Sequence, residues 1–105
     1  IQQLTLTANP FVPGSGGLRG ETTFKFNLAQ DSKITLTIYD SQGRLVATLL
    51  SDEIYHAGYQ GFSWDGTVNG TVLRSGLYVY RLFARTFGGD NPDVGWVSGA
   101  LGIKN

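Results

Sequence analysis

The chain contains few of the side chains that enzymes use for acid–base or nucleophilic chemistry. His56 is its only histidine, and there is no cysteine. No Ser-His-Asp or Cys-His set can be assembled around His56 without crossing the whole of the predicted β structure. Because His56 stands in a polar segment beside Glu53 and Tyr55, we expect it to be a surface residue rather than a catalytic base. The chain is therefore predicted not to be an enzyme.

Two groups of acidic and amide side chains are the remaining candidates for chemistry. Asp52 and Glu53 are adjacent, and we expect both to be solvated. Asp90, Asn91 and Asp93 offer oxygen ligands of the kind that Ca²⁺ binds, although their spacing is not that of a defined calcium loop. The sequence thus predicts no catalytic residue and no bound cofactor, and it leaves these three residues as candidate calcium ligands.

Asn69, Gly70 and Thr71 match the sequence at which asparagine is glycosylated, on a predicted exposed turn. Asn-Gly is also a standard turn dipeptide. We favour the turn interpretation, and Asn69 remains a glycosylation candidate if the source organism glycosylates its proteins.

Composition limits the class of partner. The length of 105 residues suits one domain, with 8 basic and 8 acidic residues and only 15% charged side chains. Because the basic residues are scattered singly, we expect no nucleic-acid partner. No segment approaches the roughly 18 apolar residues of a membrane span, so none is predicted. The chain lacks methionine, which indicates that Ile1 is not a translational start and that the chain is a processed or excised piece.

Hydrophobic residues alternate with polar residues along most of the chain, and this period of two predicts an all-β protein. We expect a seven-stranded antiparallel immunoglobulin-like β-sandwich, organised as an N-terminal strand (1–8), a Pro/Gly-rich linker (9–20) and a body (21–105). The predicted strands are 4–7, 22–28, 33–39, 44–50, 60–65, 77–87 and 95–104. Segment 44–50 is apolar on both faces, so its inward side is left open, with a helical turn as a minor alternative. Segment 51–58 is predicted to be a polar connection.

Several residues with special properties have structural interpretations. The predicted core residues are Phe24, Phe26, Ile34, Leu36, Ile38, Trp64 and Tyr78. The indole N–H of Trp64 is expected to bond at the edge of this core, and Asp65 to accept hydrogen bonds from loop amides. Gly43, Gly66 and Gly76 are expected where φ is positive or where backbones come close.

The order of four short motifs resembles the immunoglobulin-like domain shared by flagellar hook-capping proteins and many secreted bacterial proteins. The motifs are Asn9-Pro10-Phe11, Asp40-x-x-Gly43-Arg44-x-Val46, Trp64-Asp65-Gly66 and Leu73-Arg74-Ser75-Gly76-Leu77-Tyr78. The chain is similar in particular to the C-terminal sorting domains of type IX secretion cargo. The family-motif residues are Asn9, Pro10, Asp40, Gly43, Arg44, Trp64, Asp65, Gly66, Leu73, Gly76 and Tyr78.

The resemblance implies a non-catalytic accessory module that acts in sorting, anchoring or assembly. It also implies an extracellular or cell-surface location. The implied partners are proteins: secretion or surface machinery, a parent protein, or further copies of the chain.

Two alternatives remain open from the sequence. The segment 1–8, with Leu4 and Leu6 alternating, could complete the sheet of a neighbouring copy and so build a filament or surface layer. The chain could also bind carbohydrate, which would require Trp96 and at least two of Tyr55, Tyr59 and Phe87 on one exposed surface.

Overall fold

The computed structural model of the chain describes residues 2–6, 9, 11–13, 20–87 and 93–104. These residues form nine strands and no helix: β1 (Gln2–Leu6), β2 (Thr22–Leu28), β3 (Ser32–Tyr39), β4 (Leu45–Tyr55), β5 (Gly58–Trp64), β6 (Thr67–Val68), β7 (Thr71–Val72), β8 (Gly76–Thr86) and β9 (Val94–Ile103). The predicted all-β class is confirmed. The predicted count of seven strands is not, because the structure adds β6 and β7, which have two residues each. No helix able to span a membrane occurs in the described ranges.

The strands form a three-stranded sheet in the order β1-β2-β5, a four-stranded sheet in the order β4-β3-β8-β9, and a short ribbon of β6 and β7. Every pairing between named strands is antiparallel. This division of consecutive strands between two sheets is consistent with an immunoglobulin-like sandwich. β1 pairs with β2 of its own chain, where Leu6 lies opposite Phe24. The place in the sheet that a strand from a second copy would take is therefore already filled.

The core lies between the two larger sheets, and strict alternation directs side chains into it. Along β2 and β3, every second residue is buried and the residues between are half-buried or exposed. The ring of Phe24 meets that of Tyr80 on the opposite sheet edge to face, with centroids 5.5 Å apart. The seven side chains predicted for the core are all buried, and they are joined by Phe11, Leu28, Ala47, Leu50, Tyr80, Leu82, Ala84, Leu101 and Ile103.

Strand β4 differs most from the sequence prediction. The prediction that it ends at Leu50 and that 51–58 is a polar connection is wrong, since β4 continues to Tyr55. Its pairing with β3 shifts register three times, and each shift places an extra residue on β4. These β-bulges break the period of two, so that the buried residues are Ala47 and Leu50, three positions apart. The bulges explain why both faces of this segment looked apolar in the sequence.

The bulge between Leu50 and Glu53 contains Asp52, which has a φ of 52°. Its amide donates a hydrogen bond to Oγ1 of Thr35 at 3.1 Å, and its carboxylate lies 3.6 Å from the guanidinium of Arg85. β4 is an edge strand, so its polar residues remain in solvent while its backbone still pairs with β3. A polar sequence can therefore continue this strand.

Candidate functional site

The family-motif residues lie mainly in the connections at the ends of the sandwich. The side-chain amide of Asn9 makes two hydrogen bonds to the backbone of β9, in place of the backbone bonds that a paired strand would make. Its Nδ2 donates to the carbonyl of Ala100 at 3.0 Å, and its Oδ1 accepts from the amide of Gly102 at 2.8 Å. Phe11 then makes two backbone hydrogen bonds, to Gly102 and Lys104, and forms a parallel bridge with Ile103. This segment therefore lies along the outer edge of β9. Pro10 lies outside the described residues.

Phe11 falls within the segment predicted as a linker, yet its side chain is fully buried. Its ring lies 5.9 Å from that of Trp64, whose indole Nε1 donates to the carbonyl of Thr67 at 3.0 Å. Gly66 has a φ of 82°, and a Cβ atom there would lie 2.8 Å from Cγ of Pro13 and 3.2 Å from the Phe11 ring. The Trp-Asp-Gly motif thus provides both a large core side chain and the backbone space for Phe11.

Asp65, between these two residues, closes its own turn. Its Oδ1 accepts from the Thr67 hydroxyl at 2.7 Å and from the Thr67 amide at 3.0 Å. These hydrogen bonds hold the pKa of the Asp65 carboxyl below its usual value; the bond from the hydroxyl has the larger effect, and the bond from the amide the smaller one. The arrangement is an Asx-type turn, so Asp65 stabilises the loop and is not oriented towards a substrate.

The connection between β3 and β4 is organised by Asp40. Its Oδ1 accepts from the amides of Gln42 and Arg44 at 2.9 Å each, and its Oδ2 lies 3.0 Å from Nε of Arg44. Gly43 completes the turn with a φ of 84°. The hydrogen bond from the Arg44 amide is the largest cause that lowers the pKa of Asp40, and the hydrogen bond from the Arg44 side chain lowers it further. The Asp-x-x-Gly-Arg motif is therefore a self-contained hydrogen-bonded turn.

The last motif forms a tyrosine corner. Tyr78 is buried near the start of β8, and its hydroxyl donates to the carbonyl of Arg74, four residues earlier, at 2.8 Å. Such a corner is a hallmark of immunoglobulin-like sandwiches. Leu73 packs against the core, and its amide donates to the carbonyl of Gly66 at 3.0 Å. Gly76 is the first residue of β8, with a φ of 159°. The motif is recognisable in the sequence, but the corner that it builds was not predicted.

Residues that could carry catalysis or bind metal are not brought together in the described ranges. Nδ1 of His56 lies 3.4 Å from the carboxylate of Asp31, which also accepts from the Ala57 amide at 2.8 Å. The hydrogen bond from the Ala57 amide is the largest cause that lowers the pKa of Asp31, and the hydrogen bond with His56 is the second. His56 is exposed and joins two loops. Within the described residues, no three His, Cys, Asp or Glu side chains are grouped as a metal site would need.

Of the three calcium candidates, Asp93 lies within the described residues. Asp90 and Asn91 lie outside the described residues. The amide of Asp93 donates to the Thr86 hydroxyl at 2.7 Å, and its carbonyl accepts from the Thr86 amide at 2.9 Å. These contacts involve the backbone of Asp93, so they do not test its side chain, and Asp93 stays a candidate calcium ligand.

The glycosylation candidate lies on the ribbon of β6 and β7. Asn69 and Gly70 are the two loop residues of this hairpin, with φ of 53° and 82°. Positive φ at both positions defines the type I′ turn that favours Asn-Gly. Asn69 is exposed. The turn therefore explains why this position is asparagine, and Asn69 stays a glycosylation candidate.

The outer face of the four-stranded sheet carries a contact that the sequence analysis missed. The guanidinium of Arg81 on β8 lies 4.6 Å from the centre of the Trp96 ring on β9, which is a cation–π pair. Trp96 is 57% exposed, and Leu77 and Val79 on β8 are exposed on the same face. Alternation alone places Arg81 outward, but its neighbour follows only from the register between β8 and β9.

The aromatic residues considered for carbohydrate binding do not share one surface. Tyr55 packs against Phe26 of the core, and Tyr59 lies on the three-stranded sheet opposite Asn27. Phe87 alone joins Trp96 near the outer face of the four-stranded sheet, where it contacts Lys33. The condition set for a carbohydrate-binding surface is therefore not met by these side chains.

Comparison with known proteins identifies the family of this fold. The family model described as "FlgD Ig-like domain" matches residues 14–86, which include the Asp40 turn, the Trp-Asp-Gly turn and the tyrosine corner. Two curated relatives named "Basal-body rod modification protein FlgD", from Salmonella typhimurium and Salmonella typhi, are each 37% identical over 75 residues. The match covers 70% of this chain and 32% of each relative, so the chain spans about a third of their length. The chain belongs to the FlgD Ig-like domain family.

Proposed function

We propose that this chain is a non-catalytic module that makes protein–protein contacts within an extracellular or cell-surface bacterial assembly. The observation that carries the proposal is its membership of the FlgD Ig-like family, whose curated relatives are named for modifying the basal-body rod. The chain corresponds to about a third of those relatives. This proportion suits one structural module of a larger assembly protein.

The use made of the motif residues supports the same proposal. The polar atoms of four motif residues make hydrogen bonds that close turns or join a segment to a strand. These residues are Asn9, Asp40, Asp65 and Tyr78. Catalysis requires polar groups that converge on a substrate. These motif side chains instead define the fold, which leaves the outer sheet surfaces for partners.

Sorting through a type IX secretion system is the finer form of this proposal. It can be tested by fusing residues 1–105 to the C-terminus of an exported reporter in a bacterium that has this system. Surface display that depends on the secretion system supports sorting. Retention of the folded fusion in the periplasm contradicts sorting and leaves assembly as the function. The Phe26→Asp variant is the control, because an unpaired carboxylate at a side chain that is 1% exposed prevents folding.

The filament alternative makes a different prediction for purified chain. Since β1 completes its own sheet, we expect light scattering to give a monomer near 11.4 kDa. Fibres in electron micrographs of the same sample would contradict this expectation and favour polymerisation. Isothermal titration with CaCl₂ tests the prediction that the chain binds no cofactor: we expect no binding heat, and saturable binding would favour the calcium candidates Asp90, Asn91 and Asp93.

A further inference from the structure

The outer edge of β9 is covered along only part of its length. Asn9 and Phe11 bond to the backbone of Ala100, Gly102 and Lys104, so these alternate residues direct their amides and carbonyls away from β8. In a β-strand, residues two apart point in the same direction. The backbone groups of Val94, Trp96 and Ser98 therefore also face the outer edge. Within the described residues, no strand pairs with them there.

This open half of the edge lacks the usual protection against strand pairing. Edge strands are normally blunted by bulges, charges or proline. At the opposite edge, β4 has three register shifts. β9 instead pairs with β8 without a shift over ten residue pairs, and it contains neither a charged residue nor a proline.

A cation lies beside the open edge. The side chain of Trp96 is 57% exposed, and the guanidinium of Arg81 stacks over its ring. In the described part of the chain, Arg44 and Arg85 lie close to carboxylates, whereas Arg81 has no such partner. Arg81 also borders a shallow depression of about 230 Å³ lined by Thr35, Thr37, Tyr39 and Phe83. Arginine and tryptophan are the residue types most enriched where partners bind tightly.

We propose that segment 94–98 of β9 binds an extended segment of a protein partner, added as a fifth strand to the four-stranded sheet, with an aspartate or glutamate of that segment on Arg81. Ser98 lies directly opposite Arg81 in the pairing of β8 with β9. Because the serine side chain is short, a carboxylate from the next strand can pass over it to the guanidinium. Farther along the same edge, Phe11 already forms a parallel bridge with Ile103, so part of this edge pairs with backbone outside the sheet.

Charge favours an acidic partner over a second copy of this chain. Two copies joined edge to edge through β9 would bring their Arg81 side chains to the same interface. β9 has no carboxylate between Val94 and Ile103 to compensate for them. An acidic segment instead gives Arg81 the planar, bidentate partner that a guanidinium prefers. This inference rests on the proposed function in that it requires a protein partner.

The test uses the full chain and a displayed library of random twelve-residue peptides as the probe. We expect selection to enrich peptides that carry Asp or Glu among β-branched residues. The Arg81→Glu variant should weaken the binding of selected peptides at least about tenfold, as expected when a charged anchor is reversed. Arg74→Glu is the matched control, because it makes the same charge change in the loop before β8 and should leave affinity unchanged.

A second variant tests the strand addition itself. Ser98→Pro removes an amide that faces the outer edge but spares the hydrogen bonds to β8, and should abolish binding while thermal unfolding stays cooperative. If this variant does not fold, Arg81→Glu decides alone, because the exposed Arg81 side chain is not part of the ladder.

Two outcomes would overturn the inference. In the first, the selected peptides bind the Arg81→Glu and Ser98→Pro variants as tightly as the parent chain. In the second, selection yields no peptide that binds the parent chain more tightly than these variants. A dimer in light scattering that Ser98→Pro dissociates would overturn the acidic partner and identify a second copy. None of these results depends on the reporter fusion, so failure of this inference can be told from failure of the proposed function.

Discussion

The ring of Phe11 packs against the indole of Trp64, with centroids 5.9 Å apart and ring planes at 59°. This contact joins two family motifs that are far apart in the sequence. On one side, the Phe11 backbone is hydrogen-bonded to Gly102 and Lys104; on the other, its ring lies above Gly66. One aromatic pair therefore links the N-terminal segment, the Trp-Asp-Gly turn and the end of β9, and it closes one end of the sandwich.

The Phe11→Ala substitution should destabilise the domain by about 3–5 kcal/mol, which is the usual cost of removing a fully buried phenylalanine. Urea unfolding followed by tryptophan fluorescence measures the loss, because Trp64 reports on this end of the core. Phe87→Ala is the control, since Phe87 is 39% exposed, and it should cost much less. Equal losses in the two variants would show that Phe11 does not belong to the core.

Gly66→Ala should be more damaging than Gly70→Ala, although both glycines have a φ of 82°. Each substitution places a side chain in the left-handed region, at about 1–2 kcal/mol. At Gly66 the new Cβ would also lie 2.8 Å from Pro13, whereas at Gly70 no atom beyond the adjacent residues lies within 4 Å. Overpacking adds about 1–3 kcal/mol. Chemical denaturation of both variants isolates this difference, and equal destabilisation would contradict the close packing beneath Phe11.

Tyr78→Phe should lower the free energy of unfolding by about 0.5–1.5 kcal/mol, because it removes the hydroxyl that donates to the Arg74 carbonyl and leaves the ring in place. Tyr59→Phe is the matched control. Tyr59 is 81% exposed, so the same chemical change there should have almost no effect. Thermal melts of the two variants provide the measurement. A Tyr78→Phe variant as stable as the parent would mean that the corner orders the loop without stabilising the fold.

Strict alternation made much of this fold predictable from the sequence. Where a strand is regular, as in β2 and β3, the period of two identified the buried residues. Where a polar side chain bonds within its own turn, as Asp65 does, residue type and position were sufficient to predict the bonds. These features are local, so they are visible in a single sequence.

The features that escaped prediction depend on contacts between distant segments. The three bulges in β4 are set by pairing with β3, and no local signal marks the continuation of the strand through Ser51. Phe11 stands among prolines and glycines that indicate a linker, and only its contact with Trp64 reveals it as a core residue. The pairing of Arg81 with Trp96 required the register between β8 and β9.

Acid should destabilise the domain partly through Asp40. The hydrogen bonds it accepts from Arg44 and Gln42 hold its folded-state pKa below the ordinary value of 3.8. Its contribution to stability is therefore fully present above the unfolded-state pKa, near pH 4, and is lost as the pH falls through the folded-state pKa. The Asp40→Asn variant should show a shallower loss of stability below about pH 4 than the parent. Some loss should remain, because Asp31 and Asp65 also have lowered pKa values.

The Arg44→Gln variant separates the two ways in which Arg44 acts on Asp40. The largest cause of the lowered pKa is the backbone amide of residue 44, which glutamine retains; the side-chain hydrogen bond and the charge are smaller causes. In a ¹³C NMR titration of the carboxyl group, we therefore expect the Asp40 pKa to rise in this variant but to stay below 3.8. A full return to 3.8 would show that the ion pair, not the amide, holds the carboxylate. The turn between β3 and β4 would then depend on the exposed Arg44 side chain, and high salt should raise the pKa of Asp40 in the parent by a similar amount.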